Sequence, residues 1–186
     1  MSSSREALCR MLAERSYMEG DFVLTSGARS TFYVDVKRTS FDAGGRQLIG
    51  NAIADWLDEE KIDIDCVGGM TLGADAITHG VGTALAARGR SVREVSVRKE
   101  AKGHGSRRLI EGNLEEGDRV LVVDDVATSG GSTVQAVDAL REAGARVVAA
   151  AVVVDRQQGG AKNISARDVR FGAMCTLAEL QSVHTR

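Results

Sequence analysis

The stretch VLVVDDVATSGGS, residues 120–132, joins an apolar run to two adjacent carboxylates and a turn rich in hydroxyl and glycine residues. The segment that follows, TVQAVDALREAG at 133–144, has apolar residues at helical spacing. Together they predict a buried strand, a turn and a helix in direct succession. Asp124 and Asp125 come where the strand ends, so the ligand of this unit has to suit both the acids and the turn.

Predicted helices and predicted strands alternate along the rest of the chain. Amphipathic periodicity predicts helices, short apolar runs predict strands, and a turn at 26–29 predicts a hairpin within 22–37. The predicted helices cover 4–16, 44–60, 73–89 and 131–144, with a last turn at 177–181. The predicted strands cover 66–70, 119–125, 146–156 and 169–174, and residues 91–97 lead into a polar stretch.

These elements predict the fold class. Strands that are continuous apolar runs are typical of a sheet that helices cover on both faces. Repeated strand–helix–strand units imply parallel neighbours joined by right-handed crossovers. We therefore predict an α/β fold with a doubly wound, mostly parallel sheet, whose ligands bind at the carboxyl ends of the strands. Residues 1–186 are predicted to form a single domain, in which residues 1–40 cap the sheet edge.

The composition excludes several classes of protein. The chain has 186 residues, of which 43% are hydrophobic and 27% charged, with a formal net charge of −2. Such a balance predicts no nucleic-acid partner, because there is no basic field to attract one. No apolar stretch approaches the roughly 20 residues of a membrane span, and the N-terminus does not resemble a signal peptide. We therefore expect neither a membrane partner nor secretion.

The cysteines and histidines carry weaker predictions. Cys9, Cys66 and Cys175 are odd in number and far apart, which fits neither a disulfide framework nor a zinc site. We interpret them as buried or unreactive free thiols in a reducing compartment. His79 is interpreted as a core or interface residue of an apolar helix, and His184 as part of a frayed tail.

The turn after the two acids is suited to an anion. It runs from Ala127 to Gly131 and leads into a helix near Ser132, where free N–H groups and the helix dipole favour a phosphate. Adjacent carboxylates are unfavourable unless they share a cation or accept hydrogen bonds from a polyol. A sugar phosphate satisfies both requirements. The alternative is a helix-capping turn with solvated acids; a P-loop and a dinucleotide fingerprint are excluded by their missing motifs.

Residues 120–132 resemble the phosphoribosyl-pyrophosphate signature of the type I phosphoribosyltransferases, which does not identify the base. Three further stretches are similar to the orotate phosphoribosyltransferases. RKEAKGHG at 98–105 resembles their mobile catalytic loop, and FVLTSGARSTFYVD at 22–35 resembles the motif of their N-terminal hood. VDRQQGG at 154–160 resembles the segment that carries an orotate-binding arginine. The order and spacing of these motifs agree over nearly the whole chain.

The resemblance implies a function and a set of site residues. The implied reaction transfers the phosphoribosyl group of phosphoribosyl pyrophosphate to orotate, giving orotidine 5'-monophosphate and pyrophosphate in cytoplasmic pyrimidine synthesis. The implied catalytic residues are Lys99, Lys102, His104, Asp124 and Asp125. Phosphoribosyl pyrophosphate would contact these five and also Arg98, Val126, Ala127, Thr128, Ser129, Gly130, Gly131 and Ser132. Orotate would contact Tyr33, Thr128 and Arg156.

The loop at 98–113 has physical reasons to serve this reaction. It concentrates cations between glycines and has little apolar content, so we expect it to stay mobile until anions organise it. A solvated basic loop is the alternative interpretation. In the family, the equivalents of Arg98, Lys102 and His104 reach the neighbouring subunit's site, whereas that of Lys99 stays in its own. The resemblance therefore implies a homodimer with shared active sites.

Two residues of the chain depart from the pattern of the family. Thr25 and Leu72 stand where some relatives carry lysines, and Lys37 and Arg38 are nearby cations that could supply charge.

Mg²⁺ is expected on the substrate pyrophosphate, with Asp124 and Asp125 as candidate protein ligands. Two alternatives are a purine phosphoribosyltransferase and a regulator on the same fold that senses phosphoribosyl pyrophosphate.

Overall fold

A computed structural model describes residues 3–23, 27, 29–99 and 109–185 of the chain. Helices and strands alternate through most of it, as the apolar patterns predict. The strands are β1 (Tyr17–Val23), β2 (Arg29–Val34), β3 (Cys66–Met70), β4 (Arg93–Val97), β5 (Ile110–Gly112), β6 (Arg119–Ala127), β7 (Arg146–Asp155) and β8 (Arg170–Thr176). The helices are α1 (Ser3–Arg15), α2 (Lys37–Ser40), α3 (Ala43–Glu59), α4 (Asp75–Ala87), α5 (Gly131–Glu142), α6 (Gly160–Ser165) and α7 (Leu177–His184).

The central sheet confirms the predicted fold class. Its strand order is β5-β4-β3-β6-β7-β8, and all neighbours are parallel except β5, which runs antiparallel to β4. Strands β1 and β2 form a separate antiparallel hairpin. Because β3 and β6 are adjacent and parallel, the segments that follow them meet at one edge of the sheet.

Apolar side chains pack against both faces of the sheet. One cluster joins α1, α3, α4 and α7 to the sheet, with Leu8, Ile53, Ile77 and Leu180 fully buried. The other cluster places α5 and α6 on the opposite face. Such two-sided burial explains why β6 and β7 are continuous apolar runs. Among the residues that the structure describes, no helix is both long and apolar enough to cross a membrane.

The N-terminal helix lies at the sheet edge, where the cap was predicted. It packs against α3, α7 and the edge strand β8. This packing brings Cys9 and Cys175 together as a disulfide with a Cα–Cα distance of 5.9 Å. The prediction of free thiols is therefore wrong for these two residues, because their pairing depends on a contact across 166 positions of sequence. Cys66 is free and buried, and burial raises the pKa of its thiol to about 12.

The structure contradicts the interpretation of His79 as a core residue and that of His184 as part of a frayed tail, whereas an interface role for His79 stays a prediction. The side chain of His79 is 67% exposed and pairs through Nδ1 with Glu94, so it is no core residue. His184 is the last residue of α7, and its Nδ1 lies 3.2 Å from the carbonyl oxygen of Ala13. Its ring packs edge-on against Tyr17 with centroids 5.0 Å apart. The final helix is thus longer than the single predicted turn and is anchored to the N-terminal region.

Candidate active site

Asp124 is a buried acid near the end of β6. It is 4% exposed, and its Oδ2 accepts hydrogen bonds from Ser132 Oγ at 2.5 Å and Thr133 Oγ1 at 2.9 Å. Its Oδ1 accepts from the backbone N–H of Asp125 at 3.0 Å. Burial raises the pKa of Asp124, and the negative charge of Asp125 adds to this, while the hydroxyl hydrogen bonds oppose it. The solvated-acid alternative is therefore wrong for Asp124.

Asp125 turns towards a different partner. Its Oδ2 accepts a hydrogen bond from Lys37 Nζ at 3.1 Å, and its Oδ1 accepts from the backbone N–H of Val126 at 2.8 Å. Burial lowers the pKa of Lys37, but attraction to Asp125 and to neighbouring groups, including Tyr33, leaves that pKa raised overall. The two adjacent acids are thus distinguished by their partners: hydroxyls surround one and an ammonium group binds the other.

The segment after β3 passes close to Asp125. Strands β3 and β6 approach so tightly that a Cβ on Gly69 would lie 2.0 Å from the carbonyl oxygen of Val123. As a result, a Cβ on Gly73 would lie only 3.0 Å from the Asp125 carboxylate. The N–H of Thr71 donates to the carbonyl oxygen of Val97 at 2.9 Å, so an anion here would use the N–H groups of Leu72 and Gly73. Leu72 itself is 59% exposed.

The predicted anion turn is held by α6, an element that the sequence patterns did not indicate. Gly130 is the N-cap residue of α5 and has a φ of 78°, in the left-handed region that favours glycine. A Cβ on Gly160 would lie 2.9 Å from the carbonyl oxygen of Thr128, and Asn163 Nδ2 donates to the carbonyl oxygen of Ser129 at 2.9 Å. The turn is therefore fixed while the first-turn N–H groups of α5 remain available to a phosphate.

Arg156 lies beside this turn. Its backbone N–H donates to the carbonyl oxygen of Ala127 at 2.9 Å, which brings it near Thr128 as predicted. The guanidinium carbon lies 5.0 Å from the centre of the Phe32 ring. Tyr33, the predicted orotate contact, alternates to the other face of β2 and packs against Phe22 with ring centroids 5.6 Å apart. Phe32 therefore contacts Arg156, whereas Tyr33 interacts electrostatically with Lys37.

The root of the predicted catalytic loop adjoins the turn. Arg98 and Lys99 line a cavity of about 360 Å³ together with Gly131. The N–H of Arg98 donates to the carbonyl oxygen of Leu109 at 2.8 Å, which joins the two ends of the loop. Lys102 and His104 lie outside the described residues, as does Thr25.

The two acids do not form a metal site by themselves. Within 3–23, 27, 29–99 and 109–185, no three or more His, Cys, Asp or Glu side chains cluster as metal ligands would. Each oxygen of Asp124 and Asp125 already accepts at least one hydrogen bond from the protein.

Sequence reasoning missed, or could not place, three residues of the candidate site. Lys37 was recognised as a nearby charge, but its contact with Asp125 spans 88 positions of sequence. Thr133 follows the motif by one residue, and its hydroxyl in the first turn of a predicted helix could have marked it as a partner of Asp124. Phe32 belongs to the hood motif, yet nothing in its sequence context indicates a contact with an arginine.

The paired acids, the anion turn and the doubly wound sheet define a phosphoribosyltransferase. Residues 49–172 match the family model described as the phosphoribosyl transferase domain. The chain is 42% identical over 166 residues to the orotate phosphoribosyltransferase of Streptomyces avermitilis, a match that covers 89% of this chain and 90% of that relative. The chain belongs to the orotate phosphoribosyltransferase family.

Solved structures agree with this assignment. An orotate phosphoribosyltransferase of Mycobacterium tuberculosis superposes with a TM-score of 0.84 at 38% identity, covering 95% of this chain and 98% of that one. A second structure of the M. tuberculosis enzyme is a complex with 5-phospho-alpha-D-ribosyl 1-diphosphate. It has a TM-score of 0.78 and 33% identity and covers 97% of this chain and 93% of that one.

Proposed function

We propose that the protein transfers the 5-phosphoribosyl group of phosphoribosyl pyrophosphate to orotate, giving orotidine 5'-monophosphate and pyrophosphate. The observation that carries this proposal is the meeting of Asp124, Asp125, the anion turn and Arg156 at one edge of the sheet. The family membership supports the choice of orotate, and the substrate complex of the M. tuberculosis relative supports the choice of phosphoribosyl donor.

The acids and the turn would hold the phosphoribosyl group. The carboxylates of Asp124 and Asp125 can accept hydrogen bonds from the ribose hydroxyls, and the N–H groups from Thr128 to Ser132 can bind the 5'-phosphate. In the reaction, the anomeric C–O bond breaks and its electron pair leaves with pyrophosphate. A ring nitrogen of orotate forms the new C–N bond and gives up its proton, which the departing pyrophosphate can accept. Nearby carboxylates stabilise the positive charge that develops on the ribose between these events.

The protein would recognise the base by its carboxylate. Arg156 can donate charge-assisted hydrogen bonds to the orotate carboxylate, and Thr128 can contact the ring or carboxylate from the turn. Uracil, adenine and hypoxanthine carry no carboxylate, so they leave the guanidinium without its anion. A panel of orotate and these three bases with phosphoribosyl pyrophosphate tests the acceptor. Product from orotate alone is expected, whereas turnover of adenine or hypoxanthine would favour the purine alternative.

The loop, the metal ion and a second subunit complete the proposal. Arg98, Lys99, Lys102 and His104 would neutralise the departing pyrophosphate, with Arg98, Lys102 and His104 reaching into the partner subunit's site in a homodimer. Mg²⁺ would arrive on the substrate and add positive charge at the leaving group. The resemblance to the family supports these assignments. We further propose a cytoplasmic location, which fractionation of cells would test.

Replacing Arg156 by alanine tests the orotate assignment. Loss of a charged partner of the carboxylate is expected to raise the KM for orotate roughly ten- to a hundredfold, while the KM for phosphoribosyl pyrophosphate stays within about twofold. Arg167→Ala is a matched control, because Arg167 pairs with Asp138 on the surface, 3.1 Å away. If the KM for phosphoribosyl pyrophosphate rose and that for orotate did not, Arg156 would serve the other end of the site.

A further inference from the structure

The guanidinium of Arg156 is held by an aromatic face. Its central carbon lies 5.0 Å from the Phe32 ring centre, and no described residue accepts a hydrogen bond from its buried Nε. A carboxylate partner would hold an arginine by occupying its N–H donors, and an incoming anion would then have to displace it. A ring face attracts the cation through its quadrupole and occupies no donor.

Phe32 is itself supported from behind by a row of packed groups. Its ring stacks on Tyr17 with centroids 6.2 Å apart and an interplanar angle of 21°. Tyr17 is 4% exposed, and its ring also contacts His184, while Gln181 Nε2 donates to its hydroxyl at 3.4 Å. The C-terminal helix α7 thereby backs the hairpin strand that carries Phe32. The ring has little freedom to move away from Arg156.

We propose that Phe32 is a positioning residue that holds Arg156 beside the anion turn with its N–H donors free for the carboxylate of the acceptor base. This inference rests on the proposed function and deepens it. The Phe32 ring lies beside Arg156 and Tyr17, so we assign its role through Arg156. Its contribution therefore concerns bases that carry a carboxylate and leaves the binding of the phosphoribosyl donor unchanged.

Substitutions at Phe32 show whether its aromatic face, or only its apolar volume, is needed to position Arg156. Phe32→Leu is expected to raise the KM for orotate about three- to tenfold and to change that for phosphoribosyl pyrophosphate by less than about twofold. Phe32→Tyr keeps the ring face and should restore the wild-type KM for orotate. Phe171→Leu is the matched control, because Phe171 is a half-buried residue of β8 in the cluster on the far face of the sheet. Phe32→Met replaces the leucine variant if that variant does not fold.

A double-mutant cycle tests whether Phe32 acts through Arg156. In the Arg156→Ala background, Phe32→Leu should leave the KM for orotate unchanged, because the group that it positions is absent. An additional full effect of Phe32→Leu in that background, or an equal rise in the KM of both substrates, would show a merely structural role and overturn the inference. An unchanged KM for orotate in Arg156→Ala alone would contradict the assignment of Arg156 to the orotate carboxylate. Failure of the proposed function would instead appear in the base panel as no product from orotate, so the failures are distinguishable.

Discussion

Asp124 is unfavourably placed for a charged group in the unliganded protein. Its pKa is raised because burial outweighs the hydrogen bonds from Ser132 and Thr133. A carboxyl group with a raised pKa contributes stability below its ordinary pKa, and this contribution is lost as the pH rises through the raised value. At neutral pH the ionised form of Asp124 therefore reduces stability, an arrangement that substrate hydroxyls would offset on binding.

We expect Asp124→Asn to fold at least as stably as the wild type at pH 7. The amide removes the buried charge, and the two hydroxyls can reorient to accept hydrogen bonds from it. Affinity for phosphoribosyl pyrophosphate should nevertheless fall roughly ten- to a hundredfold. Thermal unfolding and calorimetric titration measure the two effects. Asp124→Ala is the comparison, since it leaves both hydroxyls without their acceptor and should lower the free energy of unfolding by about 1–3 kcal/mol.

At the residue scale, the sequence was enough to predict functional groups that lie close together along the chain. Asp124, Asp125 and the turn lie within one short stretch, so their residue types and order were enough to indicate a sugar-phosphate site. Lys37 and Phe32 could not be placed in this way, because each acts on a residue from a distant element. The Cys9–Cys175 bond was hidden for the same reason.

At the scale of elements, length decided what could be predicted. Strands β6 and β7 and helices α3 and α5 are long enough to show their apolar patterns. Strand β5 has three residues and α6 has six, too few to establish a period, and both are held by neighbouring elements. The start of α7 had a readable sign, although its extension to His184 did not. Thr176 and Glu179 form a capping box at its start, and their spacing is visible in the sequence.

Strands β3 and β6 are joined at their beginnings by an ion pair. Asp65 accepts hydrogen bonds from Arg119 Nε, Nη2 and backbone N–H, each at 2.9 Å. The side-chain hydrogen bonds from Arg119, followed by that from its backbone N–H, hold the pKa of Asp65 far below its ordinary value. A lowered carboxyl pKa gives stability that is present above the ordinary value and lost as the pH falls below it.

We therefore expect Asp65→Asn to be less stable than the wild type at pH 7, and the difference to shrink below about pH 4. The loss should be only about 0.2–1 kcal/mol, because the side chains of both partners are at least one third exposed and are screened by solvent. Urea unfolding at pH 7, 5 and 3 measures it. Asp63→Asn serves as the control, since its side chain is 76% exposed and lies 3.7 Å from Arg119. A difference that grew towards pH 3 would contradict the assignment.

At the scale of the whole molecule, shared active sites can be tested by mixing subunits. A Lys102→Ala dimer and a dimer with both Asp124→Asn and Asp125→Asn should each be nearly inactive. In a mixed dimer whose loops cross a two-fold interface, one site carries both defects and the other carries neither. Random exchange of equal amounts should therefore recover about a quarter of wild-type activity.

Exchange has to be confirmed with a mass-tagged subunit. If subunits exchange and no activity returns, each loop serves its own subunit, and the proposal of shared sites is wrong. Mixing two preparations of the Lys102→Ala dimer is the matched control, because no intact site can form from them.

The disulfide between Cys9 and Cys175 has a mechanical consequence. Tension applied to the two chain ends would pass through the sulfur–sulfur bond and shield everything between these residues from the force. In a chain of these 186 residues, the eight before Cys9 and the eleven after Cys175 would be stretched, a contour length of roughly 60–70 Å at about 3.3–3.6 Å per residue. Under reducing conditions the same pull should extend the chain to roughly 600–670 Å. Optical-trap extension of one molecule, before and after addition of a reductant, would record this difference; equal lengths in both conditions would show that the bond is absent.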